Sequence, residues 1–162
     1  MTTDSDPIHI RRGELTDARL IAGFNEKMAR ETEAMTLDPE VISAGVLEMI
    51  RNEDMGFYLV AESGDRIVGS LMVTTEWSDW RNGVFWWIQS VYVIEEFRRQ
   101  GVYNQLYCRV KEMGSEAGNV CGYRLYVEKE NSIAQSTYQR LGMSGTCYDM
   151  YEELIPGWHY KL

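Results

Sequence analysis

The chain has 162 residues, 44% of them hydrophobic and 12% aromatic, with only 3 prolines; that is one domain with a sizeable core, since domains usually run ~100–200 residues. Its 16 basic and 25 acidic residues leave a net charge of −9, which argues against gripping nucleic acid or docking on an anionic membrane, both of which call for a basic face. An acidic balance serves solubility and is compatible with a cationic substrate.

Residues 1–7 are polar and acidic, lack the layout of a signal peptide, and read as a flexible N-terminus. Ile8–Arg12 reads as a first strand. Thr16 can cap a helix through about Arg30, with Leu20, Phe24 and Met28 four apart on one face. After Asp38-Pro39 a second helix runs from about Glu40 to Asn52, with Val41, Ile42, Val46, Leu47 and Met49 as its apolar stripe; a proline there gives up only an N–H that has no partner. Gly56–Ala61 and Arg66–Thr75 flank Ser63-Gly64-Asp65, a hairpin signal.

A polar, aromatic connection over Glu76–Gly83 leads to Val84–Ile94, apolar enough for the centre of a sheet and interrupted by Gln89 and Ser90. From Gly101 to about Ala117, Val102, Leu106, Val110, Met113 and Ala117 keep helical spacing, and Gly118-Asn119 ends the run. Tyr123–Glu128 alternates as a half-buried strand with Tyr123, Leu125 and Val127 inward. Asn131 and the box Ser132–Gln135 each offer a start for a helix that carries Ala134, Tyr138 and Leu141 and stops at Gly142. Ser144–Glu152 alternates weakly and reads as a last strand, and 153–162 forms a tail able to pack through Trp158 and Tyr160. The expectation is an α/β (α+β) single domain over residues 8–152, with a mixed sheet of six to seven strands and about four helices.

Three cysteines (Cys108, Cys121, Cys147) without C-x-x-C spacing form neither a disulfide framework nor a zinc site. They read as reduced thiols packed like small hydrophobes. His9 and His159 sit at opposite ends, so no metal site is expected. No segment approaches the ~20 apolar residues that span a bilayer, the longest apolar run being Val84–Ile88. A cytoplasmic protein is the simplest expectation.

The stretch Glu95–Asn104 carries the most chemistry. It joins the central strand to a helix whose first N–H groups have no intrahelical partner, at the positive end of the helix dipole. A glycine lets an anion approach the backbone and two arginines stand beside it, which suits phosphate or pyrophosphate. Neither GxxxxGK[ST] nor GxGxxG is present, so nucleoside triphosphate hydrolysis has no support.

Arg98-Arg99-Gln100-Gly101-Val102-Tyr103 resembles the coenzyme A pyrophosphate motif [QR]-x-x-G-x-[GA] of the GNAT superfamily of N-acetyltransferases. A second signature of that family follows at the right distance: Leu125–Glu128, then an Asn131-headed helix ending Tyr138-Gln139-Arg140-Leu141-Gly142. The resemblance covers roughly Ile8 to Glu152 and is most specific over Val91–Met143. It departs at Tyr103, where the family usually has Gly or Ala; a tyrosine crowds that turn unless its ring points away over the helix surface.

The resemblance implies a cofactor, acetyl-CoA. Val91, Tyr92 and Val93 would pair their backbone with its pantetheine arm while the strand splays from the next parallel one. Arg98 and the amides of Arg99, Gln100, Gly101, Val102, Tyr103 and Asn104 would hold the pyrophosphate. Asn131 and neighbouring residues of its helix, Ala134 among them, would touch the pantetheine. Tyr138 would protonate the leaving thiolate; its spacing equally fits a core tyrosine. Direct transfer to an amine follows, with an oxyanion donor near Val91.

In the polyamine-acetylating branch, acids occupy the positions of Gln89 and Ser90. Here the pair could instead order a water, with Glu26, Glu31 or Glu76 as remote bases. The acceptor side would be formed by the first two helices and the strand 3–4 region, and residues 26–54 hold eight acids against three bases. Glu26, Gln89 and Trp77 are the acceptor-side candidates. Trp77, Trp80, Trp86 and Trp87 could line a pocket where an ammonium meets aromatic faces, pack in the core, or form a homodimer interface. The implied activity is N-acetylation of a small-molecule amine. The alternatives are acetylation of a protein or peptide amine, a CoA-binding module without turnover, and a protein-interaction domain with no cofactor.

Overall fold

The computed structural model describes residues 6–158; His159 and Tyr160, and most of the expected flexible N-terminus, lie outside the described residues. Five strands form one sheet in sequence order: β1 (Ile8–Arg12), β2 (Gly56–Ser63), β3 (Arg66–Ser78), β4 (Gly83–Val93) and β5 (Val120–Arg124). The first four pair antiparallel and β5 runs parallel to β4, so the sheet is mixed. The helices are α1 (Ala18–Glu33), α2 (Pro39–Arg51), α3 (Val102–Ala117) and α4 (Ser132–Arg140).

The two faces of the sheet follow from its period of two. Tyr58 and Val60 turn to one face, where they pack with Ala18, Ile21, Ala22 and Val46 of α1 and α2. Phe57, Leu59, Val73 and Ile88 belong to the main core with Val102, Leu106 and Val110 of α3. Those three helical residues sit four apart and are almost wholly buried, so the expected stripe of α3 is the one it buries. Its far end differs: Ala117 is exposed and Gly114 is buried instead. A Cβ at Gly114 would lie 2.2 Å from the Tyr123 hydroxyl, so that close approach fixes α3 on β5.

Asp38 caps α2, accepting from the amides of Glu40 and Val41. At α1 the expected cap Thr16 falls inside a short 3-10 turn, Leu15–Asp17. The buried face therefore shifts to Ala18, Ile21, Ala22, Phe24 and Asn25, and Leu20 is left outside. Asp17 anchors this corner, bonded by Arg11 at 2.7 Å and by the Glu14 amide. Its burial pushes the carboxyl up, but those bonds outweigh it and hold Asp17 below the usual range.

Three corrections concern the C-terminal half. The strand expected over Tyr123–Glu128 is β5, and it begins three residues earlier and ends at Arg124. The strand expected over Ser144–Glu152 does not form, so the sheet has five strands among the described residues rather than six or seven. The thiols are free, but only Cys108 is partly buried; Cys121 and Cys147 are exposed.

Candidate functional site

β4 changes character half-way along. Val84–Trp87 pair with β5, the last partners being Trp87 and Arg124. Beyond them β5 has ended, and Ile88–Val93 keep only β3 as a neighbour. On the β3 side the register slips by one residue, Met72 facing Gln89 but Ser70 facing Tyr92. This bulge centres on Ser90, a non-glycine residue with φ 51°. A bulge bends its strand and increases the local twist, and here it falls just past the point where pairing with β5 ends. The result is a wedge whose inner wall is the free backbone edge of Ile88–Val93, with Val91 in the middle.

The wall leads directly into an amide-lined turn. A 3-10 turn, Glu95–Phe97, precedes Arg98; then Arg99 and Gly101 adopt φ of 62° and 77°. The first helical bond of α3 runs from the Gln105 amide to the Gly101 carbonyl, and no side chain caps the helix. The amides of Val102, Tyr103 and Asn104 are thus left to face outward at the positive end of the dipole. A Cβ at Gly101 would meet nothing within 4 Å, so the space over the turn is open. Arg99 and Gln100 are exposed beside it, Gln100 donating to the Glu96 carbonyl at 2.6 Å.

Arg98 is clasped. Its Nε donates to the Val93 carbonyl at 2.8 Å and its terminal nitrogen to Glu31 of α1 at 2.7 Å. The guanidinium also lies over the Tyr92 ring, whose hydroxyl donates to the same Glu31 carboxylate at 3.0 Å. Arg98 draws the Glu31 carboxyl below the usual range, while burial and the Glu31 charge push the Tyr92 phenol up. An open cavity of ≈ 430 Å³ adjoins this clasp, lined by Lys27, Glu31, Arg66, Tyr92 and Glu96 among others.

Tyr103 turns away from the amide turn, though toward α4 rather than over the outer helix surface. Its ring stacks on Tyr107 and meets Tyr138 edge-on, the centroids 5.8 Å apart. Its hydroxyl is buried without a hydrogen-bond partner among the described residues, and burial raises its pKa. Tyr138 is half-buried at the same junction; its hydroxyl makes no hydrogen bond among the described residues, and burial raises it too. Asn131 heads α4, its side-chain oxygen accepting the Ala134 amide at 3.1 Å. Gln135 donates instead to the Glu128 and Lys129 carbonyls.

The acceptor-side candidates do not all converge. Gln89 lies on the α1/α2 face of β4 and donates to Thr74 Oγ1 at 3.1 Å. Glu26 on α1 is 3.7 Å from Arg30. Trp77 and Trp80 are exposed at the β3–β4 hairpin, whereas Trp86 is buried edge-on to Phe57. Trp87 faces Tyr126 across 6.3 Å. The tryptophans therefore form no single cluster, because Trp86 and Trp87 are adjacent on a strand and face opposite ways. Of the remote bases, Glu31 and Glu76 are engaged by Arg98 and Arg124. Sequence reasoning missed the Glu31–Arg98 clasp and the Trp87–Tyr126 contact; no local signal links residues 67 and 39 positions apart.

Among the described residues no group of His, Cys, Asp and Glu is arranged to hold a metal ion, and no helix is long and apolar enough to cross a membrane. Residues 21–143 match the model of the Acetyltransferase (GNAT) family. The fold is similar to the crystal structure of a possible acetyltransferase from Clostridium difficile 630, with TM-score 0.86 and 45% identity over 91% of this chain and 97% of that one. It is also similar to that of a probable acetyltransferase, TM-score 0.80 and 25% identity, over 91% and 97%. An aminoglycoside N-acetyltransferase in complex with CoA shares the fold at TM-score 0.78 and 16% identity, over 95% and 99%. No curated protein matches the sequence.

Proposed function

The chain belongs to the acetyltransferase (GNAT) family and is an acetyltransferase, and from that premise we propose that it transfers an acetyl group from acetyl-CoA directly to a primary amine of a small molecule. A cytoplasmic, homodimeric enzyme acting on a diffusible acceptor belongs to the same reading. One observation carries it: the unpaired inner edge of β4 beyond Trp87 leads through the Glu95–Gly101 turn to the uncapped start of α3. An extended, amide-bearing arm that ends in a diphosphate fits a strand edge followed by a helix N-terminus.

The residues present fit that cofactor. Val91, Tyr92 and Val93 would offer backbone groups to the arm, and the amides from Arg99 to Asn104 would hold the diphosphate, with Arg98 beside them. Asn131 and Ala134, at the start of α4, would touch the arm. The thioester supplies an acetyl group already activated for attack.

The rest is done by this chain. A Val91 amide on the bulged strand donates to the oxygen on which charge develops. Tyr138, its phenol raised by burial, stays protonated at neutral pH and gives its proton to the departing sulfur. Gln89, whose amide nitrogen is committed to Thr74, keeps an oxygen to accept from the amine or from an ordered water. Glu26 lies on the acceptor helix α1, and Trp77 offers an exposed aromatic face to a cation at the hairpin rim.

Two measurements on one sample test the reading. Acetyl-CoA at about 100 times its Kd stabilises by roughly 2.7 kcal/mol, enough to raise Tm by about 5 °C or more for a chain of this size. Thiol release is then followed with a panel of polyamines, aminoglycosides and simple primary amines. No shift at millimolar acetyl-CoA overturns the cofactor assignment. A shift without thiol release from any amine, but with acetylation of lysine peptides, overturns the small-molecule acceptor.

A further inference from the structure

α4 carries Tyr138, yet none of its nine residues is buried. Its one aromatic contact with the rest of the fold runs from Tyr138 to Tyr103, edge-on at 5.8 Å. Tyr103 is itself braced. It stacks on Tyr107 at 6.2 Å, and Tyr107 meets Tyr123 of β5 edge-on at 6.1 Å. The Tyr123 hydroxyl donates to the Lys111 carbonyl at 3.3 Å, and Lys111 Nζ lies over the Tyr107 ring. Four tyrosines thus form a file from the sheet edge through α3 to α4, with Tyr138 at its end. Edge-on and offset-stacked ring pairs stabilise beyond the area they bury, so the file fixes where the Tyr138 ring stands.

Ring packing accounts for the rings and leaves one hydroxyl without a role. Tyr103 Oη is buried and has no hydrogen-bond partner among the described residues. An unpaired buried hydroxyl destabilises the fold, and a phenylalanine would fill the same space without one. Tyr103 is also the position at which Arg98–Tyr103 departs from the diphosphate motif. A polar group held at a cost to the fold, beside the residue assigned the proton transfer, points to use during turnover.

We propose that Tyr103 is a positioning residue for Tyr138: its ring holds the Tyr138 ring in place, and its hydroxyl donates a hydrogen bond to the Tyr138 oxygen as that oxygen gives up its proton. In that step, which rests on the reading of Tyr138 as the acid, the Tyr138 O–H bond breaks and an S–H bond forms on the departing CoA. The oxygen is left as a phenolate. Tyr103 transfers nothing. Burial, then its tyrosine neighbours, push the Tyr103 phenol up, so it keeps its proton and donates to the new charge. A charge-assisted hydrogen bond is roughly twice as strong as a neutral one, which is why a donor idle beside the phenol engages the phenolate. The proton that the amine loses on acylation returns through water to Tyr138 and closes the cycle.

The test is a double-mutant cycle of Tyr103→Phe and Tyr138→Phe. It is read by thiol release with the best amine acceptor, by calorimetry with acetyl-CoA, and by Tm of the ligand-free chain. Tyr103→Phe should lower kcat on the order of tenfold, the effect of one hydrogen bond to a charged oxygen, with acetyl-CoA affinity unchanged. Its Tm should equal or exceed that of the wild type, because the lost hydroxyl had no partner. In the Tyr138→Phe background the same substitution should cost no further turnover, since the oxygen it serves is gone. Full kcat in Tyr103→Phe overturns the proposal and leaves Tyr138 as the acid. So does an equal loss in both backgrounds, and so does a lowered Tm, which would give the hydroxyl a structural partner. Unchanged turnover in Tyr138→Phe, or no thiol release by the wild type, overturns the underlying reading and this proposal with it.

Discussion

The two halves of β4 are made of similar residues and put to different uses. Gly83–Trp87 has a strand on each side and buries Phe85 and Trp86, with Trp86 edge-on to Phe57. Ile88–Val93 has a strand on one side only, a bulge at Ser90, and the amide turn of α3 at its end. The closed half is paired on both edges from Val84 to Trp87; the open half has a strand on one edge only. In the proposed reading the cofactor site arises where the ladder stops.

The sharpest way to break this contrast is a cut in the closed half. Trp86→Ala should destabilise by about 3–5 kcal/mol, the usual range for deleting a buried aromatic, as read from urea unfolding. Under conditions where the variant is fully folded, acetyl-CoA should bind as it does to the wild type. A loss of affinity beyond threefold would mean that the closed half also shapes the site. At the open end the balance reverses. Tyr138→Phe keeps the ring that meets Tyr103 and removes only the hydroxyl, which makes no hydrogen bond among the described residues. Stability should barely move, while turnover falls about 100-fold, the low end for losing a general acid, with acetyl-CoA affinity intact. Unchanged turnover would return Tyr138 to the core.

Local physics made much of this legible from sequence. The hairpin at Gly64, the Asp38-Pro39 start of α2 and the four-residue spacing of α3 each rest on neighbouring residues, and each formed as read. The open half was legible only in outline. Its apolar run reads as one strand, and polar Gln89 and Ser90 are the only local residues that mark the bulge. β5 was misplaced because Gly118-Asn119 and Gly122 resemble a turn, while the alternation of Tyr123–Glu128 continues after the strand has left the sheet. The four tryptophans looked like a cluster because they are close in sequence, but a period of two sends neighbours to opposite faces. In sequence Arg98 stands ready for an anion; that Glu31 already holds it depends on how α1 lies across the sheet.

That clasp yields the finest test of the contrast, and the smallest effect. Arg98 has two anchors, the Val93 carbonyl on the open half of β4 and the Glu31 carboxylate on α1. A diphosphate arriving at the turn competes with Glu31 for the same guanidinium, whereas the Val93 anchor keeps the side chain in place. Glu31→Gln should therefore tighten acetyl-CoA two- to fivefold, the ~0.5–1 kcal/mol that an exposed ion pair is worth, measured by calorimetry at neutral pH and low salt. The gain should shrink as salt screens the pair.

The wild type offers the same experiment through pH. The Glu31 carboxyl is held below its ordinary value chiefly by the Arg98 hydrogen bond. The clasp is thus fully formed above the ordinary carboxylate pKa and is lost as pH falls through the lowered, folded-state value. Affinities of the wild type and Glu31→Gln should differ at neutral pH and converge in acid. If Glu31→Gln instead weakens binding, the carboxylate positions Arg98 for the anion rather than competing for it, and α1 becomes part of the cofactor grip.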